Sequence, residues 1–157
     1  MPPSLVGVRI EGATQLRVLG RELRLAGEEG KVFRRELLAS IRAAASPAPE
    51  RVRESARSVL PHAGGLNEYV AGSRFTVSTR LTGRLVGVSI RGVKGDHNLN
   101  RLDSGTARHP VFGDRKVWRD NSVTAGFFST PLEGMAPELT LGVLSAIRRV
   151  GERLEAR

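Results

Sequence analysis

The sequence contains no cysteine. Without a thiol, the chain can form no disulfide bond, no cysteine-ligated zinc site and no thiol-based active site. Long apolar runs are missing as well. No window approaches the roughly 18 consecutive apolar residues that cross a bilayer, and no apolar signal-peptide segment follows the first four residues. We therefore expect a soluble protein that is not exported.

Aromatic residues make up only 4% of the chain, with one Trp, one Tyr and five Phe. Proteins that bind single-stranded nucleic acids stack bases on aromatic side chains set among basic ones. This sequence offers few such platforms, and it contains no helix-turn-helix or zinc-finger pattern. Sequence-specific recognition of nucleic acid is therefore not expected.

Lysine is scarce too: only Lys31, Lys94 and Lys116 occur. The net charge is nevertheless +9, and arginine supplies nearly all of the positive charge. A basic surface attracts phosphate backbones or acidic protein faces, although a GC-rich genome also favours arginine without any functional reason. The charge is spread over both halves of the chain, which disfavours a disordered basic tail. A stand-alone basic DNA-binding module is the alternative function that this charge supports.

The length of 157 residues predicts one domain that spans residues 1–157. Apolar residues alternate with polar residues or glycine over residues 6–10, which predicts a short strand. They then recur every three or four positions. This spacing predicts helices over residues 13–26 and 29–45 and a third helix that ends before Pro61.

The second half of the chain mixes strand and helix patterns. Alternation over residues 75–81 and 86–90 predicts an antiparallel hairpin. Residues 91–108 have no periodicity, which predicts a mobile loop there, and loops of this length are usually either functional or disordered until a partner binds. A strand over residues 116–123 is expected to return to the same sheet, and an amphipathic last helix to begin near Ala136. The predicted class is α+β, with a small antiparallel sheet packed by the N-terminal helices and the C-terminal helix.

Metal-dependent hydrolysis is a second alternative, because histidines and aspartates occur near one another in the sequence; they are His62, Asp96, His97, Asp103, His109 and Asp114. In the run Asp96-His97-Asn98, His97 is a candidate general base. However, compact ligand spacings such as His-Glu-x-x-His are absent, and no second group is seen to converge on it. We expect no metal, no cofactor and no catalytic residue, and hence no enzyme.

Residues 108–128 hold the only Trp and three of the five Phe of the chain. One Trp among so few aromatics predicts a core position, and we expect Trp118 to anchor the sheet, so that Trp118→Ala unfolds the protein. The alternative is an interface position, for which Trp118→Ala leaves a folded monomer that does not assemble. Phe112 lies in a rigid, turn-like segment. The adjacent Phe127 and Phe128 point to opposite faces if the chain is extended there. Both rings are then buried only if something covers the outer side, and a neighbouring subunit is one candidate.

Three short segments carry a family resemblance: residues 108–113 (Arg-His-Pro-Val-Phe-Gly), residues 116–118 (Lys-Val-Trp), and residues 126–128 (Gly-Phe-Phe) followed by Pro131. With them the chain resembles the tail-completion or neck proteins of long-tailed bacteriophages, a family also described as minor tail or head-tail joining proteins. Weaker matches lie at Leu60-Pro61, at Gly64-Gly65-Leu66-Asn67, and in the strand, glycine and helix around Gly12.

The resemblance implies a non-enzymatic virion protein with an α+β fold. It implies a ring of copies between capsid and tail, a hexamer if the ring follows the tail's symmetry. Tail-tube and head-neck connector proteins are then further partners, and non-specific contact with passing DNA is expected, but no membrane. The implied location is the virion neck or tail, reached from the host cytoplasm during assembly.

The candidate site residues fall into two sets. Residues expected at an assembly interface or as a sheet anchor are Arg108, His109, Pro110, Phe112, Gly113, Trp118, Phe127 and Phe128. Residues expected to supply charge to a DNA channel are Arg101, Arg115 and Lys116.

Overall fold

A computed structural model of the protein describes residues 4–7, 13–81, 87–93 and 98–156. Within these ranges, helices lie at Ala13–Leu25 (α1), Gly27–Ala45 (α2), Ala48–Val59 (α3), Leu66–Ala71 (α4), Leu99–Asp103 (α5) and Ser129–Glu155 (α6), with a 3-10 turn at Ala63–Gly65. Strands lie at Ser4–Gly7 (β1), Arg74–Arg80 (β2), Gly87–Val93 (β3), Thr106–Val111 (β4) and Asp114–Ser122 (β5). The helices and antiparallel strands confirm the predicted α+β class.

The main sheet has three antiparallel strands in the order β1-β3-β2. Its β2 and β3 strands are the predicted hairpin, with Phe75 opposite Gly92; their connection at residues 82–86 lies outside the described residues. β1 pairs with the other edge of β3. The N-terminal strand predicted over residues 6–10 is confirmed for residues 6–7 and begins earlier, at Ser4, whereas residues 8–12 lie outside the described part.

The core is built where α2 and α6 pack along each other and α2 meets β2 and β3. α2 buries Phe33, Leu37, Ile41 and Ala45, which share one helix face because they recur every four residues. α6 buries the same kind of stripe: Leu132, Met135, Leu139, Val143, Ala146 and Val150. None of the described helices is long and apolar enough to cross a membrane.

The first three helices confirm the predicted helices closely, but the predicted start of the last helix near Ala136 is wrong. α6 begins at Ser129 and runs through Pro137. A proline inside a helix costs about 3 kcal/mol. Leu132 and Met135 are both fully buried, and burial of each side chain contributes about 1.5–3 kcal/mol. Packing against the core therefore outweighs the local helix breaker.

The loop predicted over residues 91–108 is wrong for most of the described part of that segment, where only Asn98, Ser104 and Gly105 lie outside a helix or strand. β3 continues to Val93, α5 follows at Leu99–Asp103, and β4 begins at Thr106. Residues 94–97 lie outside the described ranges. A helix as short as α5 leaves no readable period in the sequence, and it is held by burial of its two leucines instead.

Asp103 connects the end of α5 to the start of α6. Its Oδ1 atom accepts hydrogen bonds from the backbone N–H groups of Phe128 and Ser129, at 2.7 and 3.1 Å. The first N–H groups of a helix have no partner within the helix, and a carboxylate there also meets the positive end of the helix dipole. Asp103 thus acts as a cap supplied from a distant part of the chain.

We expect Asp103→Ala to lower the free energy of unfolding by about 1–2 kcal/mol, because it leaves two backbone donors without their acceptor. Asp103→Asn keeps an acceptor oxygen and loses only the charge, so its loss should be smaller, about 0.3–1 kcal/mol. Urea denaturation followed by circular dichroism measures both. Asp120→Ala is the control, since it removes an exposed carboxylate that pairs with Arg101 and should cost less than about 1 kcal/mol. Equal losses for all three variants would contradict the capping role.

The strand expected to return to the main sheet does not do so, and that prediction is wrong. β5 pairs with β4 alone, in a separate two-stranded sheet. All nine residues of β5 are exposed, so no buried face ties this strand to the core. We call residues 106–122, which comprise β4, β5 and the turn between them, the hairpin arm.

Candidate interaction site on the hairpin arm

The hairpin arm carries six of the eight residues expected at an interface or sheet anchor: Arg108, His109, Pro110, Phe112, Gly113 and Trp118. At its tip Val111 pairs with Asp114, so Phe112 and Gly113 form a two-residue connection. Their φ angles are 50° and 78°. Positive φ at both central positions defines a type I′ turn, for which Asn-Gly is the usual sequence.

Phe112 is an unusual residue for this turn. A left-handed backbone conformation costs a non-glycine residue about 1–2 kcal/mol. The Phe112 side chain is 103% exposed, so its ring gains no burial within the chain. Neither local geometry nor packing accounts for phenylalanine here, and strained residues of this kind concentrate at functional sites.

Trp118 is not the anchor of the main sheet, and that expectation is corrected. It lies on β5, and its side chain is 43% exposed. Its indole N–H donates to the carbonyl oxygen of Arg115 at 2.7 Å. The Arg108 guanidinium carbon lies 5.5 Å from the centroid of the indole ring, within the range of a cation–π contact. Loss of this ring removes contacts within the arm and leaves the core intact.

Phe127 and Phe128 are core residues, and their expected place at a subunit interface is also corrected. Their exposures are 0% and 1%. The Phe128 ring lies 5.8 Å from that of Phe75 and 6.2 Å from that of Phe127, distances typical of favourable aromatic pairs. The two residues lie directly before α6, not in an extended strand. Their side chains therefore do not alternate across a sheet, and no neighbouring subunit is needed to cover one of them.

Polar contacts fix the base of the arm. Asn121 Nδ2–H donates to His109 Nε2 at 2.9 Å, across the two strands. Arg101 on α5 pairs with Asp120 on β5, with Nη2 and Oδ2 3.0 Å apart. The arm is thus tied to α5, and Asp103 ties α5 to α6 in turn.

A groove of about 810 Å³ lies between the hairpin arm and the segment from the end of α3 through α4. The α3–α4 side contributes Pro61, Ala63, Gly64, Leu66 and Tyr69. The other side is lined by Asn98, Arg101 and Leu102 around α5, and by Thr106, Ala107, Arg108, His109, Trp118 and Asn121 of the arm. The only Trp and the only Tyr of the chain therefore line the same groove.

The sequence did not predict that Tyr69 lines this groove. Tyr69 lies on α4, a six-residue helix that was not predicted. The only signals in the sequence were that Tyr69 is the sole tyrosine and that it follows the Gly64-Gly65 turn closely. Neither signal connects it with Trp118, which is far away along the chain.

The residues predicted to supply charge to a DNA channel have different surroundings. Arg101 is paired with Asp120, whereas Arg115 and Lys116 are exposed on β5. No carboxylate among the described residues forms an ion pair with either of these two. The arm therefore adds positive charge to the surface near its tip.

The proposed metal ligands are not brought together in the part of the chain that the structure covers. There, no group of three or more His, Asp or Glu side chains is placed to hold a metal ion. His62 Nδ1 lies 3.3 Å from the side-chain nitrogen of Asn67, and His109 contacts Asn121. Asp96 and His97 lie outside the described residues.

No protein-family model, curated protein or solved structure matches this chain.

Proposed function

We propose that this chain is a structural protein of the neck or tail end of a long-tailed bacteriophage, where copies form a ring that completes the tail and joins it to the head around the DNA channel. The observation that carries the proposal is the hairpin arm, which presents Phe112 fully exposed on a strained turn. Such a side chain gains free energy only when another molecule covers it.

The position of the family-like segments supports the proposal. Residues 108–113 and 116–118 form the tip and the two strands of the arm. The weaker segments within residues 60–67 include Pro61, Gly64 and Leu66, which line the facing wall of the groove. Stretches far apart in sequence thus meet at one surface.

The side chains at this surface are those that protein interfaces favour. Tyr, Trp and Arg dominate binding hot spots, because they bury large areas and still offer a polar group. Tyr69, Arg108 and Trp118 supply all three in one groove. The exposed Arg115 and Lys116 nearby suit a ring whose channel is crossed by a polyanion.

Electron microscopy of particles made without the protein tests the proposal. In a phage or prophage that carries this gene, an early stop codon is expected to yield filled heads and tails that remain unjoined, or tails of irregular length. Supplying the intact gene in trans should restore complete virions. Tails of normal length joined normally to heads in the absence of the protein would overturn the proposal.

A further inference from the structure

We infer that the outer face of the main sheet binds the phosphate backbone of double-stranded nucleic acid. This face is the side of β2 and β3 opposite to the one that packs on the helices. It is a different surface from the hairpin arm and its groove. Under the proposed neck function the bound duplex is the DNA that passes the ring, but the site itself does not depend on that function.

The strand register decides which residues share the outer face. Alternate residues of a strand point to the same side, and so do residues directly opposite each other in an antiparallel pair. Thr76 is opposite Arg91, and Ser78 is opposite Ser89. The residues of β2 and β3 on this face are therefore Arg74, Thr76, Ser78, Arg80, Gly87, Ser89, Arg91 and Val93. Ile90, which alternates with them, lies in the buried core.

The charge of this face is positive and unneutralised. Three of its residues are arginines, three carry hydroxyl groups and none is acidic. All three arginines are exposed, and no carboxylate among the described residues forms an ion pair with any of them. The helical surface differs, because several of its arginines stand beside glutamates: Arg57 with Glu50 and Glu68, Arg148 with Glu152, and Arg153 with Glu36.

The three arginines are spread along the face. A strand rises about 3.4 Å per residue, so Arg74 and Arg80 lie about 20 Å apart along β2. Arg91 is opposite Thr76 and therefore stands between them. A DNA duplex carries one negative charge about every 1.7 Å of its axis, so the same length of duplex offers more phosphates than the face has cations. All three guanidinium groups can therefore contact one duplex.

Hydroxyl groups at the centre of the face add hydrogen-bond donors. Ser78 Oγ and Ser89 Oγ lie 2.6 Å apart, so one hydroxyl donates to the other, and the accepting hydroxyl keeps its own proton for an outside acceptor. Arginine, serine and threonine all contact phosphate oxygens in protein–DNA complexes, and such contacts carry no sequence information. The site is therefore expected to bind duplexes of any sequence.

Other partners need features that this face lacks. Single-stranded nucleic acids stack on aromatic rings, and protein interfaces centre on buried aromatic or apolar anchors. Membrane-binding surfaces insert large apolar side chains beside their cations. The β2 and β3 part of the face has no aromatic residue, and its one apolar side chain is Val93 at the end of β3. A duplex backbone requires only exposed positive charge and hydrogen-bond donors.

Fluorescence anisotropy of a short labelled DNA duplex, titrated with the purified full chain at several salt concentrations, tests the site. Three phosphate contacts contribute about −2.7 to the slope of log K against log salt concentration. A variant that combines Arg74→Gln, Arg80→Gln and Arg91→Gln should lose this part of the slope. Between about 50 and 200 mM salt, the factor by which its Kd rises should be about 40-fold smaller than for wild type. Duplexes of different sequence should bind wild type equally.

The matched control variant combines Arg57→Gln, Arg148→Gln and Arg153→Gln, which removes three arginines that pair with glutamates. Each triple variant lowers the net charge of +9 by three, but the control should keep the wild-type slope. Circular dichroism and urea midpoints close to those of wild type show that both variants are folded. Equal losses of slope in the two variants overturn the inference. So does a wild-type chain that fails to bind the duplex at low salt, or that uses these arginines to bind phosphatidylserine vesicles and not the duplex.

The absence of cysteine allows the site to be located directly. Thr76→Cys places a single thiol at the centre of the face, and Ser145→Cys places one on the exposed surface of α6. With free duplex at about ten times Kd, about nine tenths of the protein is bound, so an uncharged thiol reagent should modify Thr76→Cys about tenfold more slowly. Ser145→Cys should react at the same rate with and without duplex. Equal protection of both thiols, or protection of neither, contradicts the assigned face.

These results are independent of the test of the proposed function. Duplex binding through the three arginines, together with normal virions in the absence of the protein, would keep the site and remove the neck function. Unjoined heads and tails, together with duplex binding that the three substitutions leave unchanged, would keep the function and remove the site.

Discussion

Phe128→Ala is expected to lower the free energy of unfolding by about 3–5 kcal/mol, the cost of truncating a buried aromatic side chain. Phe128 is 1% exposed, and its ring packs between those of Phe75 and Phe127. Removing it leaves a cavity at the point where β2 meets the start of α6. Urea denaturation at low protein concentration, followed by circular dichroism, measures the change.

Phe112→Ala is the matched control, because it removes the same atoms from a side chain that is fully exposed. Its effect on the unfolding free energy of the monomer should stay within about 0.5 kcal/mol. Phe128→Ala is thus expected to lower the stability of the monomer, whereas Phe112→Ala is expected to leave that stability unchanged and to affect only association. A Phe128→Ala protein as stable as wild type, but unable to associate, would place Phe128 at an interface and contradict its burial.

Gly30→Ala is expected to be similarly damaging, with a loss of about 3 kcal/mol or more. A Cβ atom at Gly30 would lie 1.8 Å from the carbonyl oxygen of Leu23. That oxygen belongs to the backbone of α1 and cannot move aside without displacing the helix. The close crossing of α1 and α2 therefore requires glycine at this position.

Gly134→Ala and Gly151→Ala are the controls for this change. Both positions lie within α6, and an added Cβ meets no atom within 4 Å at either. Alanine there reduces the backbone entropy lost on folding and should stabilise the protein by about 0.5–1 kcal/mol. The change in unfolding free energy is therefore expected to be a loss for Gly30→Ala and a gain for the two α6 variants, and denaturation midpoints measure it. A Gly30→Ala protein as stable as these controls would contradict the close approach of α1 and α2.

Periodic segments were predictable because their signal is local. Phe33, Leu37 and Ile41 recur at helical spacing and do line the buried face of α2. The β2–β3 hairpin was predictable in the same way, since alternation over a few residues marks a strand with one buried face. Short elements such as α4 and α5 carry too few residues for a period, and distant contacts hold them.

The aromatic residues show the limit of composition as a guide. A single Trp suggests a core, yet Trp118 lies on an exposed strand, whereas Phe127 and Phe128 are the buried pair. Adjacent rings point to opposite faces only in an extended chain, and this pair precedes a helix instead. The helix is extended to Ser129 by the burial of Leu132 and Met135, which no local pattern around Pro137 shows.

The sequence by itself determined the α+β class, the three N-terminal helices, the β2–β3 hairpin and the turn that presents Phe112, because period, proline and glycine act over a few neighbouring residues. Only the tertiary structure decided that the arm leaves the main sheet and that Asp103 caps α6. It also decided that Tyr69 and Trp118 face one groove. These features depend on contacts between residues far apart in the chain. The free energies of such contacts are set by packing and not by local sequence.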